Sequence, residues 1–415
     1  MFALHETTQR RVCRIAFLVL CVVPTLLTLA AVAYCNRPWR HRDWQDSLAS
    51  HLHVRAQLAD ITRPQPGETV LIDLRLADLE SEEFFCSTER VQSRTSEGRL
   101  VIDVERLQIP ASRLNEFWDA FSTWLATDTR TAVDINLSQL TIAHDTFPDW
   151  QLKNVKVRSD READGSQRVV LVGQDSANLK FKSGLIVGAG TWDAKIEASL
   201  VPLPAWLVEQ FVPGTGSCVT ASFCGIIAIE QTRGQYAGRL QGKFAAVDLQ
   251  QWIGMDGPHR LKGSATLDFT ALDWSDGRIT SASGSLRSDT GVMSYSLFDS
   301  AQKLCGVVPG PAWDVPVPSP PDTMIEFDEA AIQFQLRPDG IRFAGLSVDG
   351  AIAAKNQTPL VNLQQSEIAL PVGQIVRLLN YLEQLGWLPA TRKAHDMASR
   401  LPLPGDEGRS PAGDR

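Results

Sequence analysis

Seven histidines, seven cysteines and 48 acidic residues are the groups in this 415-residue chain with chemistry to offer, and their spacing excludes most of it. No histidine stands in a His-Glu-x-x-His pair, the spacing that sets two zinc ligands on one helix face. His51 and His53 are two apart, which on a helix sends them to different faces. Cys13, Cys21 and Cys35 lie in or beside the apolar N-terminal segment, leaving Cys86, Cys218, Cys224 and Cys305, and no two form the Cys-x-x-Cys pair of a zinc site. An odd, scattered set is no disulfide framework for a chain of this size. Cys218 and Cys224, six apart, fall on one face of a strand and are too distant along an extended chain to bond each other. Gly188-Ala189-Gly190 begins like a dinucleotide loop, but no third glycine follows in place and a strand pattern comes next, so a bulge or turn is expected. There is no Gly-x-Ser-x-Gly elbow and no Walker loop, since Gly242-Lys243 lacks the upstream glycine. The acidic residues mostly take the wet positions of strands, where solvation accounts for them. The spacings therefore predict no enzyme, no metal and no cofactor. A formal net charge of −8, with no basic run outside the flanks of the N-terminal apolar stretch, predicts no nucleic-acid partner.

What the chain does carry is an alternating pattern. Between Arg260 and Thr270, Leu261, Ala265, Leu267 and Phe269 fall on one side and Arg260, Lys262, Ser264, Thr266, Asp268 and Thr270 on the other. Successive strand side chains point to opposite faces, so one face of this sheet is dry and one wet. Asp276-Gly277 supplies the positive-φ turn into Ile279–Leu286. Gly242, Gly263 and Gly284 recur at an interval of 21 residues, which suggests a hairpin-sized repeat. Trp192, Ala194, Ile196, Ala198 and Leu200 alternate against polar neighbours in the same way. The candidate binding surface is this dry face, with Trp192, Ile196, Leu240, Phe244, Leu261, Leu267 and Phe269 as its lining.

Ile15–Asn36 carries no charge over 22 residues. As a helix it would reach about 33 Å, enough for the hydrocarbon core of a bilayer. Pro24 is tolerated in such helices. Ala31-Val32-Ala33 offers a small-residue cleavage site, but the uncharged stretch is longer than a usual signal core, so a single-pass anchor is expected. Three arginines on each flank balance, and the positive-inside rule gives no vote. A short basic head and a long body predict a signal anchor in a bacterial inner membrane with the body in the periplasm. Tyr34, Trp39 and Trp44 fit an interfacial aromatic belt there.

The expected fold is mainly β: an N-terminal transmembrane helix, then a long antiparallel, groove-forming sheet with a few short helices. Residues 1–36 form the basic N-terminus and anchor. Residues 37–66 form a juxtamembrane helix (Trp44–Ala59) and linker, ended by Arg63-Pro64-Gln65-Pro66-Gly67. Residues 67–388 are the β-rich region, and residues 389–415 a tail that becomes disordered. Within the β-rich region, Leu114, Phe117, Trp118, Phe121 and Leu125 form one helical stripe over Ser112–Ala126. It is expected to dock on the sheet, because the other face holds Glu116 and Asp119 where a membrane-surface helix favours lysine. Further helices are expected at Pro204–Phe211, Ser294–Leu304 and Pro371–Leu385, and 309–321, with six prolines, as a rigid loop.

The anchor Ile15–Asn36, the Leu240-x-Gly242-x-Phe244 and Leu261-x-Gly263-x-Ala265-x-Leu267 strands, the Asp-Gly turns and the scarcity of long soluble helices together resemble the AsmA-like proteins of bacterial envelopes, including the TamB- and YdbH-like branches. The resemblance implies a long twisted sheet whose hydrophobic concave face carries lipid acyl chains between membranes, and it implies no catalytic residues. This chain is short for the family. At about 4.8 Å per strand, fifteen to twenty strands give a groove on the order of 70–100 Å. The expected function is lipid binding in an apolar groove, contributing to lipid traffic or outer-membrane biogenesis, with phospholipid or another acyl lipid and the membrane as partners. The alternative is an anchored scaffold of an envelope or secretion assembly, with the sheet closed on its own core. The two differ in whether Leu261, Leu267 and Phe269 line a trough or are buried by protein.

Overall fold

Among the described residues, alternation of apolar and polar residues produces twenty-one strands joined in one sheet. The computed structural model describes residues 54–364 apart from 66, 80–82, 128–131, 163–165, 189–190, 219, 233–234 and 254–258, together with 17, 20, 22–35, 45–46, 49, 369–371 and 400–401. The first strands are β1 (Val54–Gln57), β2 (Asp60–Thr62), β3 (Glu68–Asp78), β4 (Phe84–Ser96), β5 (Arg99–Pro110), β6 (Ala132–Ala143) and β7 (Trp150–Arg161). Then come β8 (Gln167–Gln174), β9 (Lys180–Gly188), β10 (Thr191–Glu197), β11 (Leu203–Pro204), β12 (Ser222–Thr232), β13 (Gln235–Asp248), β14 (Leu261–Ser275) and β15 (Arg278–Ser294). The last are β16 (Val307–Pro309), β17 (Met324–Phe327), β18 (Glu329–Arg337), β19 (Gly340–Gly345), β20 (Ala353–Lys355) and β21 (Thr358–Leu363).

Strands β1 and β2 both lie along β3, and from β3 to β10 each strand pairs with the next. All these pairs are antiparallel except β5–β6, which is parallel because the connection between them is a helix. The meander continues β10–β12–β13–β14–β15, with β11 as a second partner of β12. Beyond β15 the sheet forks onto β17 and β18; β18 in turn pairs with both β19 and β20, and β20 continues through β21 to β16. Asp276 and Gly277 both have positive φ, as the β14–β15 hairpin requires for a right-handed strand twist, and Glu97-Gly98 repeats the device between β4 and β5.

Among the described residues the α-helices with defined bounds are α1 (Val23–Cys35), α2 (Leu114–Thr127), α3 (Ala205–Val208), α4 (Leu249–Ile253) and α5 (Tyr295–Cys305). Helix α1 is apolar all round, and its 13 residues reach only about 20 Å. Among the described residues no helix is long and apolar enough to cross a membrane. Six of the 22 residues of Ile15–Asn36, and all of Pro371–Leu385 except Pro371, lie outside the described residues. Of the expected Trp44–Ala59 helix, the described residues Gln45, Asp46 and Ala49 are helical, but its end is not: Val54 and Ala56 are buried alternately with Arg55 and Gln57, a strand period, and extend the sheet edge. Helix α5 starts as its sequence dictates: the Leu297 amide donates to the Ser294 hydroxyl at 3.4 Å, and Gly306 ends it in the left-handed region.

One core runs from Val54 to Leu336, so the sheet curls around its own dry face. Two insertions fill the inside. Helix α2 touches β4, β5 and β9, and the segment Leu203–Ala221 lays α3 against β12 and its following turn against β13 and α4. His144, in the β6–β7 loop, packs between Phe147 and Trp206 with ring centroids 4.9 and 4.8 Å away, and its Nδ1 accepts from the amides of Thr146 and Phe147. That contact ties the two walls of the curl at one end. A smaller core of Tyr295, Phe298, Ile325, Phe327 and Leu360 lies under α5, where Trp313 of the proline-rich loop packs 4.0 Å from Phe298.

Candidate functional site

The expected lining of the dry face is brought together, but mostly out of solvent. Trp192, Leu240, Phe244, Leu267 and Phe269 are buried, while Ile196 and Leu261 are half-buried. Phe223, Phe244, Phe269 and Phe334 form a chain of rings with centroids 5.0, 6.1 and 5.7 Å apart. The register explains this chain. Gly242 faces Phe269, Phe269 faces Gly284, and Gly284 faces Phe334 across four adjacent strands. A ring above each glycine covers backbone that has no side chain of its own. Gly263 instead pairs with Gly291, itself opposite Phe327, so the glycine interval serves two rows of the sheet instead of marking one repeated hairpin.

The dry face is less covered where α2 crosses it. Phe117, Trp118, Phe121 and Trp124 are all half-buried, and Tyr236 at the start of β13 is 39% exposed. Phe117 and Phe121 stack at 5.9 Å, Phe121 meets Trp124 at 5.9 Å, Trp118 meets Trp192 edge-on at 5.5 Å, and Trp192 meets Tyr236 at 5.9 Å. Six aromatic side chains thus form one mouth on the curl. The Trp118 indole nitrogen is buried with no hydrogen-bond partner among the described residues. Burial, and then Glu116, raise the Asp119 carboxyl above its ordinary range, while burial, and then Asp119, raise the Tyr236 hydroxyl. Such a mouth can receive an apolar chain and still offer a donor to a polar group at its end.

The wet face carries a crease. Ladder pairing skips Asp73/Glu89, then Glu89–Arg90 opposite Glu105–Arg106, then Glu105/Ser138 and Ser138/Asn154, and a bulge at Asn154–Val155 follows on β8. Asp73 and Asn154 have positive φ at the two ends of this line. The crease underlies a polar hollow of about 520 Å³, lined among others by Arg90, Gln92, Glu105, Asn136, Asn154 and Lys156. Near the opposite strand ends Arg99 donates twice to Asp134, at 2.8 and 2.7 Å, and once to Asp160, at 2.8 Å, which fastens β5, β6 and β7 and lowers the Asp160 carboxyl.

Among the described residues no cluster of three His, Cys, Asp or Glu side chains is placed to hold a metal. Cys86, Cys218, Cys224 and Cys305 form no disulfide among the described residues. Burial pushes Cys86 up to about 12 and Cys305 up to about 11, the reverse of what a nucleophilic thiolate needs. Sequence reasoning recognised the α2 stripe as a docking surface but missed Tyr236, since a lone tyrosine at a strand end carries no periodic signal. It also missed the crease, because interruptions of pairing depend on partners distant in sequence. Comparison with protein-family models, curated proteins and solved structures finds no match to the chain.

Proposed function

We propose that the chain is a membrane-anchored, envelope-facing, non-enzymatic protein of AsmA-like build that binds an acyl lipid at the aromatic mouth beside α2. It would serve lipid traffic or outer-membrane biogenesis from the periplasmic side of a bacterial inner membrane. The observation that carries the reading is the half-buried row Phe117, Trp118, Phe121 and Trp124, facing Trp192 and Tyr236 on a dry face that is elsewhere sealed. Aromatic area left in water costs about 25 cal/mol per Å², which favours an apolar occupant. The deep positions Leu240, Phe244, Leu267 and Phe269 then act as the floor and wall supporting the mouth.

Their burial favours a second reading, in which the closed sheet is an anchored scaffold for an envelope assembly. One experiment separates the two. Photo-crosslinkers placed at Phe121 and Tyr236 of the full chain should capture phospholipid, and one at Leu267 should capture protein. If Phe121 and Tyr236 yield protein adducts alone, and the purified chain carries no lipid by native mass spectrometry, lipid binding fails and the scaffold stands.

A further inference from the structure

The wet face of β7, β8 and β9 concentrates positive charge in a chain whose net charge is −8. These strands hold seven cations, Lys153, Lys156, Arg158, Arg161, Arg168, Lys180 and Lys182, against one acid, Asp160. Four of the cations form a rectangle. Lys153 pairs in register with Gln174 and Gln174 with Lys180; Lys156 pairs with Val172 and Val172 with Lys182. The bulge at Asn154–Val155 makes this possible, because in an unbulged strand residues three apart, as Lys153 and Lys156 are, would point to opposite faces. At about 4.8 Å between strands and ~3.3 Å per residue, the lysine Cα atoms sit roughly 10 Å apart across the strands and 7–10 Å apart along them.

None of the four lysines has an ion-pair or hydrogen-bond partner among the described residues, and all are exposed. Several nearby carboxylates are engaged elsewhere, and Glu105, which lines the polar hollow with Lys156, faces only that one corner of the rectangle. Asp160 binds Arg99 and Arg158, Glu162 binds Arg168, and Glu197, in register with Lys182, is held by Lys195 at 3.1 Å. Asp175 accepts from the amides of Ala177 and Leu179. Asp193 is in register with Ile186, four residues along β9 from Lys182. Like charges so arranged repel one another until an anion arrives. Set among them are Val172 at the centre, 38% exposed, with Ile186 at 40% and Leu179 at 44%. An exposed array of lysines interspersed with aliphatic side chains suits an extended anionic surface with an apolar layer beneath. The wet side of these strands offers no aromatic ring on which a nucleic-acid base could stack, since Phe181 is buried in the core and Trp150 packs against it on the same side, with ring centroids 5.4 Å apart.

We propose that the wet face of β7–β9 docks on an anionic phospholipid bilayer through Lys153, Lys156, Lys180 and Lys182, with Val172 entering the headgroup layer. This contact lies on the opposite face of the sheet from the aromatic mouth and does not depend on the mouth holding lipid. The test uses the full chain in nanodiscs of phosphatidylcholine, challenged with vesicles of phosphatidylcholine alone or with about 30 mol% phosphatidylglycerol. At 0.1 M salt the anionic vesicles should be bound at least tenfold more tightly than the neutral ones, and the binding should weaken as salt rises. The variant Lys153→Gln/Lys156→Gln/Lys180→Gln/Lys182→Gln should lose at least tenfold in affinity and keep its thermal midpoint, since every change is at the surface. The charge-matched control Lys243→Gln/Lys262→Gln/Arg287→Gln/Arg337→Gln should stay within twofold. Equal binding to neutral vesicles, retention of binding by the lysine variant, or an equal loss in the control would overturn the proposal. Displacement of the vesicles by 10 mM inorganic phosphate at matched ionic strength would overturn it too, assigning the patch to a small anion.

Discussion

Leu267→Ala tests whether the dry face is a sealed core or a trough. Leu267 is 2% exposed and lies in register between Phe244 of β13 and Leu286 of β15. Truncating a leucine so enclosed costs the transfer of its lost methyl and methylene groups plus the cavity left behind, about 3 kcal/mol and within a range of 2–5. Residues 54–363 number 310, and at ~2.1 cal/mol/K per residue their unfolding entropy is about 0.65 kcal/mol/K. Dividing about 3 by about 0.65 gives a fall of roughly 5 °C in the thermal midpoint. Tryptophan fluorescence of the full chain in nanodiscs reads it, with Thr266→Ala on the wet face as the control, expected within about 1 °C. A leucine lining an open trough already meets water or a mobile ligand, and its truncation would cost under ~1 kcal/mol. A Leu267→Ala midpoint within 1.5 °C of the parent would therefore refute the sealed face and return Leu267 to the ligand.

Gly242→Ala should destabilise by more than about 2 kcal/mol, because φ is +143° and a Cβ would lie 2.4 Å from the Cys224 carbonyl oxygen, whereas Gly184→Ala, with open space at its Cβ, should stay within about 0.5 kcal/mol in the same melts. Arg99→Lys should lower the midpoint, since one ammonium cannot reproduce the forked contact to Asp134 and Asp160 together. Asp160 is held below its ordinary value by Arg99, so its contribution is present above the ordinary carboxylate range and is lost as pH falls through and below it; in Arg99→Gln that part of the acid limb should flatten. Asp119 has the opposite sign. Its raised folded-state value means stability declines as pH climbs from the ordinary carboxylate value upward, so Asp119→Asn should be more stable than the parent at pH 7 and lose that advantage in acid. Finally, the chain should remain with membranes through a carbonate wash and keep the native N-terminus, and recovery in the soluble fraction of a form beginning near Tyr34 would assign Ile15–Asn36 to a cleaved signal instead.

The strands were legible because alternation is local. Leu267 and Phe269 against Asp268 and Thr270 declare a two-faced strand whatever lies beside it, and Asp276-Gly277 declares its turn. Closure of the sheet was not legible. It rests on contacts such as His144 with Trp206 and Trp118 with Trp192, 62 and 74 residues apart, and on where the insertions land. Burial by such insertions depends on where they land, and the compact segment Leu203–Ala221 lands inside the curl. The glycine interval was visible, but its meaning lay in the neighbouring strand, where Phe269 and Phe334 cover Gly284 from both sides.

The lysine rectangle shows the same limit from the wet side. Read along the chain, Lys153 and Lys156 are three apart, and strict alternation sends them to opposite faces. Lys180 and Lys182 look like ordinary solubilising charges. Only the bulge at Asn154–Val155, set by how β7 meets β8, brings all four to one face with Val172 between them. Sheet irregularities of this kind re-aim side chains without changing composition. The charge that composition dilutes to a net −8 is thereby gathered onto three strands, and the same bulge closes one end of the crease that carries the polar hollow. Removing Asn154 should therefore separate the two features: Lys153 and Lys156 then stand two apart and plain alternation keeps both on the wet face, so anionic-vesicle binding should hold within twofold of the parent, whereas a loss as deep as in the four-lysine variant would show that the rectangle needs the bulge itself.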